Sequence, residues 1–488
     1  MKKKLSLILA ILMLSGMVSC GDTGEPSKTD APADSSDAGT TAPEVLTDGL
    51  PDVDMEGFVF SVFHNNPEQM TWTNLTLDVE DQNGEVLNDA IYDRNRAVEE
   101  RFNCKIEVTE FDGFQISSSE ISREVMAGDS NYDVWFPRDY NVVNSIPYLR
   151  PLNDLTYVDL DADWWFPQAS GVFRFNGKQY AATSSFSLSP ISRAGGIVFN
   201  KDVYELIGAE KTPYEYVQDN EWTLDTFAKL AKLGYKDLNG DGQIDKNDQF
   251  GIGSSWKEIY ARYLNGSGIS FISQEDNGYP VFDLPNNQNA IEKMLHIFDL
   301  FNDEQIYNNP SSSDAESLAN GTIKEGNVLF VLGHPNNMGT TYRNVEADVG
   351  FVPCPKYDSD QERYYAPTWA AEMMVILKTL PEERIDNVSI ILEALSFAGH
   401  QDVIPIYREV MMKGKYARDV ESEEMFDIVL DSMCFDFGLI AWEGQVANPI
   451  IAGIYASGEG NVMSTFAKLE NKINGVIDDL IEALEAEE

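Results

Sequence analysis

The chain has 488 residues and a formal net charge of −46, with 81 acidic against 35 basic residues. A surface this acidic repels phosphate backbones and anionic lipid, which argues against nucleic acid as a partner and against a membrane contact held by charge. The length exceeds one ordinary hydrophobic core and predicts two lobes or domains.

The N-terminus predicts secretion and a lipid anchor. Three lysines precede an apolar run over residues 5–14, which is shorter than the about 20 residues needed to span a bilayer. The string Met17-Val18-Ser19-Cys20 is similar to the lipobox of bacterial lipoproteins, in which the cysteine carries the lipid. We therefore expect a signal peptide over residues 1–19 and a location on the extracellular face of the bacterial cell membrane, held there only by lipidated Cys20.

Residues 20–50 predict a flexible tether, because Gly, Asp, Ser, Thr, Pro and Ala dominate and little can be buried. From residue 51, apolar strands alternate with helices that carry apolar residues every three or four positions. This alternation predicts α/β lobes with mostly parallel sheets flanked by helices.

The predicted lobes follow one another along the chain. The first part of lobe 1 covers residues 51–190, and lobe 2 covers 191–348, with a helix that Thr223 caps. The C-terminal helical region, 386–488, is expected to pack mainly on lobe 2, with a short coiled coil over its last helix as the alternative.

A twelve-residue segment at 237–248 resembles the calcium loop of an EF-hand. Oxygen donors occupy the ligand positions, and Gly242 stands where the chain must turn sharply. We expect one structural Ca²⁺, remote from any ligand, and the alternative is a metal-free turn rich in Asp and Asn. The expected ligands are Asp237, Asn239, Asp241, the Gln243 carbonyl, Asp245 and Asp248.

The sequence offers no familiar catalytic machinery. It lacks a nucleophile elbow, a zinc-protease helix motif and a phosphate-binding loop, so we expect a protein that is not an enzyme. A pair of carboxylates of the glycosidase kind stays open as an alternative. Cys104, Cys354 and Cys434 are interpreted as small buried hydrophobes, with one disulfide as the alternative.

Several short sequence motifs, taken in order along the chain, resemble those of the extracellular solute-binding proteins of bacterial ABC importers, of the maltose-binding-protein-like type. They are Tyr132-Asp133-Val134-Trp135, Phe175-Asn176-Gly177-Lys178-Gln179-Tyr180-Ala181, Ile197-Val198-Phe199-Asn200-Lys201-Asp202, Glu221-Trp222-Thr223-Leu224-Asp225-Thr226-Phe227, Gln249-Phe250-Gly251 and Val349-Gly350-Phe351-Val352-Pro353. The resemblance implies a two-lobed periplasmic-binding-protein-like fold that binds a solute in the cleft between lobes and delivers it to the transmembrane subunits of a permease. It also implies that residues 349–385 return to lobe 1.

We expect a monomer and a small solute, with mono- or oligosaccharides favoured by the aromatic content and with peptides, polyols and polyamines as alternatives. A secreted polysaccharide-active enzyme and a cell-wall adhesion or scaffold protein stay open as alternatives. Sugars have flat C–H faces and hydroxyl rings, so their sites combine aromatic faces with planar hydrogen-bonding groups.

The resemblance implies ligand-binding residues in five segments, and the first of them follows the third strand, at the edge where open α/β sheets bind ligands. For Trp256 and Trp369 the alternative is core packing, and Arg138 could instead pair with an acid. Trp164 and Trp165 are left open between core and cleft, whereas Trp135 is expected in the core. The predicted ligand-binding residues are Arg138, Asp139, Tyr140, Ser184, Ser185, Phe186, Trp256, Tyr260, Asn336, Asn337, Trp369 and Glu372.

Overall fold

The computed structural model describes residues 47–244, 247–303, 306–308, 327–342, 347–412, 420–457 and 461–486. The chain divides into the units Met1–Thr47 and Asp48–Glu488, and the fold belongs to the second unit. The predicted signal peptide, Cys20 and residues 20–46 of the predicted tether lie outside the described residues. In the part that is described, we find no helix with the length and apolar character needed to cross a bilayer.

The described elements alternate between strands and helices along most of the chain. The strands are β1 (Phe58–His64), β2 (Cys104–Glu110), β3 (Val134–Phe136), β4 (Leu149–Arg150), β5 (Arg174–Phe175), β6 (Lys178–Gln179), β7 (Gly196–Asn200), β8 (Phe250–Gly253), β9 (Ser273–Gln274), β10 (Pro280–Val281), β11 (Tyr307–Asn308), β12 (Val328–Gly333), β13 (Val349–Pro353), β14 (Ala366–Pro367), β15 (Ile376–Leu377) and β16 (Met433–Cys434). The helices are α1 (Val86–Phe102), α2 (Ser118–Ala127), α3 (Asp139–Val142), α4 (Pro167–Ser170), α5 (Ser189–Ser192), α6 (Lys201–Leu206), α7 (Pro213–Gln218), α8 (Leu224–Leu233), α9 (Trp256–Gly266), α10 (Gln288–Phe301), α11 (Pro335–Gly339), α12 (Glu382–Ala398), α13 (Ile404–Met412), α14 (Val420–Asp431), α15 (Phe437–Ile440), α16 (Asn448–Ser457) and α17 (Val462–Glu485).

The first lobe is built on a parallel sheet with the strand order β2-β1-β3. Its helix α2 begins at a capping box formed by Ser117 and Glu120 and ends at Gly128, whose φ of 73° suits glycine. The segment around Val375 returns to this sheet and pairs antiparallel with Trp135. The parallel sheet of the first lobe therefore agrees with the prediction.

The second lobe is built on a five-stranded sheet with the order β11-β8-β12-β7-β13. The edge strand β11 runs parallel to β8, and β8 runs parallel to β12, but β7 runs antiparallel to both β12 and β13. This sheet is therefore mixed, and the expectation of a mostly parallel sheet in each lobe is wrong here. The strand β7 enters from the first lobe, so its direction is set by the crossing and not by a helical crossover within the lobe.

The second lobe ends later in the sequence than predicted. The strand β13 was expected to return to lobe 1, but its Phe351 pairs with Val198 of β7 in the second sheet. The return follows β14, where Glu372 pairs with Arg138 beside β3. The expected boundary at residue 349 is therefore wrong, because an apolar strand followed by a proline carries no information about which sheet it joins.

The C-terminal helices distribute over both lobes. Helix α12 packs on β1 and α1 of the first lobe, which differs from the expectation that residues 386–488 pack mainly on lobe 2. Helix α14 packs on β13, and α16 packs on α9, both in the second lobe. The long helix α17 contacts α10 of the second lobe and the turn Val143–Tyr148 of the first. It buries Phe466, Ile473 and Leu480 in the core of Asp48–Glu488 and forms no coiled coil there.

Candidate functional site

A row of alternating arginines and tryptophans lies where the two lobes join. The Arg138 guanidinium lies 5.9 Å from the centre of the Trp72 ring. Arg193 donates hydrogen bonds to the backbone oxygens of Trp72 and Trp369, each at 3.4 Å. The Arg262 guanidinium lies 4.5 Å from the centre of the Trp369 ring. In order of contact, these residues are Arg138, Trp72, Arg193, Trp369 and Arg262. We call them the arginine–tryptophan row.

The row draws on both lobes and on the segments that connect them. Arg138 follows β3 and Trp72 lies between β1 and α1, so both belong to the first lobe. Arg193 follows α5 on the way to β7, and Trp369 follows β14 on the way back. Arg262 lies in α9 of the second lobe. A rotation of one lobe against the other would therefore change the contacts within the row.

The tryptophans of the row are more accessible to solvent than two of its three arginines. Trp72 and Trp369 are half-buried. Arg193 is 5% exposed and Arg262 only 1%. Gly195 makes room for the Arg262 guanidinium, because a Cβ atom at Gly195 would collide with Nη1. Flat apolar faces beside planar donors are the groups that a sugar ring needs.

Two further aromatic residues extend the first-lobe end of the row. The Tyr140 ring lies 4.8 Å from the Arg138 guanidinium. Phe114 is 51% exposed, and the centre of its ring lies 5.8 Å from that of Trp72. Arg138 is thus held between the rings of Trp72 and Tyr140. Its only carboxylate contact among the described residues is Asp139, at 3.7 Å.

Glu372 is a buried acid next to the row. Its Oε1 accepts hydrogen bonds from the backbone N–H of Asn65 at 3.0 Å and from Asn65 Nδ2 at 2.8 Å. Its Oε2 is buried and has no hydrogen-bond partner in the described part of the chain. Burial raises the pKa of Glu372 to about 8, although the two bonds from Asn65 act in the opposite direction. Glu372 is therefore mainly protonated and neutral at pH 7.

Asp139 ties the end of β3 to the returning segment. Its carboxylate accepts hydrogen bonds from the backbone N–H groups of Tyr140, at 2.9 Å, and Ala371, at 3.4 Å. The side chain is 1% exposed, and burial raises its pKa to about 6. The structure thus brings Arg138, Tyr140, Trp369 and Glu372 together, and Asp139 braces them from the inside.

Three predicted ligand residues lie away from the row, in the first lobe's interior. Ser184 Oγ accepts a hydrogen bond from Ser396 of α12 at 2.8 Å. The backbone N–H of Ser185 donates to the Trp164 oxygen. Phe186 is fully buried below the Arg94 guanidinium, at 5.0 Å. The prediction that they line the cleft does not match these contacts, because the segment turns inward to pack on α1 and α12.

The predicted ligand residues on α9 and α11 do not all lie in the row. The Tyr260 ring is 2% exposed and stacks on Phe298 at 4.1 Å, so it belongs to the second lobe's core and not to the row. The side chain of Trp256 lies outside what the structure describes. Asn336 and Asn337 are buried at the start of α11, where Asn337 Oδ1 accepts from the His334 N–H at 2.9 Å.

Helix α11 reaches the row through His334. Its Nδ1 lies 3.0 Å from the Arg193 carbonyl oxygen, so α11 contacts the row through backbone and imidazole, while the Asn337 side chain caps the helix. Burial and the nearby arginines lower the pKa of His334 well below its ordinary value, so the ring is neutral at pH 7.

Trp164 and Trp165, which the sequence left open, lie in the core. Their indole N–H groups donate to the two carboxylate oxygens of Glu393, each at 2.7 Å. Glu393 is 1% exposed and also accepts from the Asp159 N–H at 3.2 Å. We call Trp164, Trp165 and Glu393 the Glu393 cluster. Trp135 is 3% exposed, which confirms that it is a core residue.

Sequence reasoning missed Trp72, Arg193 and Arg262. Trp72 follows the first strand, so the rule that ligands bind beyond strand ends could have found it. Arg193 stands before Gly195 and Gly196 in a short polar stretch, which is a weak signal for a crossing segment. Arg262 is surrounded by Tyr260 and Tyr263 in an apolar helix and gives no signal of its own.

The predicted calcium loop is folded back on itself. Asp237 accepts hydrogen bonds from the N–H groups of Gly240 and Gly242, and Gly242 has a φ of 72°. Lys236 and Gln249 pair across the base of the loop. Asp245 lies outside the described residues, and among those that are described no three acidic, His or Cys side chains gather closely enough to hold a metal.

The three cysteines form no disulfide in the structure, and each is a free thiol. Cys354 is buried, whereas Cys104 and Cys434 are partly buried. Burial raises the pKa of the Cys354 thiol to about 11 and that of Cys434 to about 12, so both are protonated at pH 7.

Comparison with known proteins yields matches of structure only. No protein-family model matches the sequence, and no curated protein matches it. The cyclic α-maltosyl-1,6-maltose binding protein from Arthrobacter globiformis has a TM-score of 0.55 at 14% identity, over 87% of this chain and all 100% of that one.

Two further solved structures give the same result. The galacto-N-biose/lacto-N-biose I-binding protein of an ABC transporter from Bifidobacterium longum has a TM-score of 0.54 at 12% identity, over 88% of this chain and 98% of that one. An ABC transporter associated binding protein from B. animalis subsp. lactis, solved with β-1,6-galactobiose, has a TM-score of 0.53 at 13% identity, over 87% and 98%. The predicted two-lobed α/β fold of the solute-binding proteins is confirmed.

Proposed function

We propose that this chain, which has the fold of the solute receptors of ABC importers, is itself such a receptor and captures a saccharide between its lobes. The observation that carries the proposal is the arginine–tryptophan row. It places two half-buried ring faces and three guanidinium groups where first lobe, second lobe and both connecting segments meet. The neighbours solved with bound sugars or named for them support the same class of solute.

Binding would act by shifting the balance between an open and a closed arrangement of the lobes. A ligand can favour the closed form only through contacts that it makes better there. Since Arg138 and Trp72 belong to the first lobe and Arg262 to the second, a solute on the row touches both lobes at once. The closed form then docks on a permease, to which the solute passes chemically unchanged.

The attachment to the membrane is also proposed. The basic cluster, the apolar run of residues 5–14 and Cys20 support a lipid anchor on the extracellular face. Metabolic labelling with a fatty acid should mark the wild-type chain in a bacterial host and leave Cys20→Ser unlabelled. Labelling of both chains would contradict the proposed site, and labelling of neither would contradict the anchor.

We further propose that residues 237–248 bind one structural Ca²⁺. The backbone of the loop supports this, because the Lys236–Gln249 pair closes the base of a turn that carries Asp237, Asp241 and Asp248. The ion would supply the positive charge that draws these carboxylates together, with Asn239, Asp245 and the Gln243 carbonyl as further oxygen ligands.

A thermal-shift screen of mono- and oligosaccharides tests the main proposal. A sugar present at a hundred times its dissociation constant should stabilise the folded protein by about 2.7 kcal/mol. The purified protein should leave each sugar intact. Release of reducing sugar from a glycan would instead support a secreted polysaccharide-active enzyme, and a screen without any stabilising sugar would contradict a saccharide receptor.

A further inference from the structure

Arg262 is a buried cation without a counter-charge. It is 1% exposed, and in the described part of the chain no carboxylate forms an ion pair with it. Its Nε and Nη1 atoms are buried and have no hydrogen-bond partner there. Its contacts are the Trp369 ring and the Cys354 thiol. Burying a charge that is neither paired nor fully hydrogen-bonded is costly. A bound group that carries a negative charge and accepts hydrogen bonds would offset this cost.

Another buried arginine shows how this protein satisfies such a group when its role is structural. Arg94 is 2% exposed and lies over the Phe186 ring, much as Arg262 lies over Trp369. Its guanidinium donates to the carbonyl oxygens of Leu77 and Phe186 and to Asn95 Oδ1. Asp78 lies near enough to favour the charged form of Arg94. The two arginines are buried to a similar extent but differ in how many of their N–H groups have a hydrogen-bond acceptor.

The acids near the row do not supply the missing charge. Glu372 is held mainly in its neutral form by burial, and Asp139 is engaged by the backbone of the first lobe. Asp436 lies near Cys434, as Arg262 does, but its carboxylate accepts from the N–H groups of Phe271 and Leu439. At the other end of the row, the Asp139 carboxylate at 3.7 Å is the one acid that contacts Arg138 among the described residues.

We propose that the solute is an acidic saccharide, a sugar that carries a carboxylate, and that Arg262 is the counter-charge for that group. This rests on the proposed function and adds the charge of the substrate to it. Arg guanidinium and carboxylate match as planar groups that can form two parallel hydrogen bonds. The half-buried faces of Trp369 and Trp72 then hold the sugar ring, with Arg138 and Arg193 placed along the same row.

The test compares matched pairs of sugars on the full soluble chain without its lipid. Isothermal titration is run with D-glucuronate against D-glucose, D-galacturonate against D-galactose, and digalacturonate against galactobiose. At least one acidic member should bind at least about tenfold more tightly than its neutral counterpart. Arg262→Met should weaken that binding by about 10- to 100-fold, as expected for the loss of a charge-assisted hydrogen bond.

The stability of the ligand-free protein supplies a second readout. Arg262→Met keeps an unbranched side chain on Trp369 and removes the unpaired charge, so the melting temperature should stay constant or rise. The matched control, Arg94→Met, should lower it strongly because three acceptors lose their donors. An equal fall in both variants would show that Arg262 is structural and would overturn the proposal.

The outcomes separate this inference from the function on which it rests. Tight binding of a neutral sugar that is unaffected by Arg262→Met would overturn the acidic solute and leave a saccharide receptor. Failure of every sugar, acidic and neutral, would overturn both.

Discussion

The arginine–tryptophan row and the Glu393 cluster use the same kinds of side chain for different ends. In the Glu393 cluster, two buried indoles saturate one carboxylate with hydrogen bonds of 2.7 Å, and Trp165 is fully buried. In the row, the tryptophans are half-buried, and within the described residues Arg262 Nε and Nη1 have no hydrogen-bond partner. A polar group with all its hydrogen bonds holds a core together, whereas one that lacks partners beside a half-buried ring is available to a ligand. The two regions therefore differ in whether their buried polar groups have hydrogen-bond partners, and not in the types of residue that they contain.

The largest expected effect lies in the Glu393 cluster and concerns stability. Glu393→Leu leaves two buried indole N–H groups without an acceptor, which should lower the free energy of unfolding by about 3–5 kcal/mol. Urea unfolding followed by circular dichroism measures it. The matched control is Glu383→Leu on the exposed face of the same helix, which should change stability by less than about 0.5 kcal/mol. A loss below about 1 kcal/mol for Glu393→Leu would erase the contrast between the regions.

The next effect lies in the row and concerns binding. Trp369→Ala removes a ring face, which should weaken saccharide affinity by about 30- to 100-fold while the melting temperature of the free protein changes little. Titration calorimetry with the sugar found in the screen measures the affinity. Tyr357→Ala, a half-buried aromatic residue that contacts His296 in the second lobe, serves as control and should bind normally. Equal losses in both variants would show that the row has no special part.

Glu372, the buried acid beside the row, should make the stability of the protein depend on pH. Its folded-state pKa of about 8 lies above the ordinary value of 4.5, so the folded protein holds a proton that the unfolded chain releases. Its contribution to stability should therefore fall as the pH rises from about 4.5 to 8. Glu372→Gln should flatten this part of the curve and be more stable than wild type at pH 8.5, by a margin on the order of 2 kcal/mol.

The pH experiment has a built-in reference. Asp436, whose pKa is raised to about 7 by burial, acts in the same direction in both proteins, so the difference between the curves belongs to Glu372. Stability measured by urea unfolding at pH 5 and pH 8.5 gives that difference. Parallel curves for wild type and Glu372→Gln would mean that Glu372 is ionised in the folded protein.

The smallest expected effect lies outside both regions, in the loop 237–248. Calcium should raise the melting temperature by a few degrees, as a weakly bound ion in moderate excess does, and Asp237→Ala should abolish the rise. Asp276→Ala, an exposed acid elsewhere in the second lobe, should retain it. Saccharide affinity should be equal with calcium and with chelator. A calcium effect that survives Asp237→Ala would place the ion elsewhere.

Much of the fold could be predicted from local pattern. The alternation of apolar strands with helices predicted the α/β lobes. Thr223, whose Oγ1 accepts from the Thr226 N–H at 3.3 Å, predicted the start of a helix. These features depend on neighbours in the sequence. The sheet that β13 joins and the lobe on which α12 packs depend on contacts between distant segments, and the sequence placed both incorrectly.

The candidate site divides in the same way. The sequence by itself determined that Arg138, Trp369 and Glu372 follow or precede strands, that the chain is acidic, and that its length and alternating pattern suit two α/β lobes. Only the tertiary structure decided that Arg193 and Trp72 complete the row, that Phe186 and Tyr260 are core residues, and that Arg262 is buried without a counter-charge from the part of the chain that is described. The reason is physical: whether a polar group is satisfied depends on which partners the fold brings within hydrogen-bonding distance, and these lie far apart along the chain.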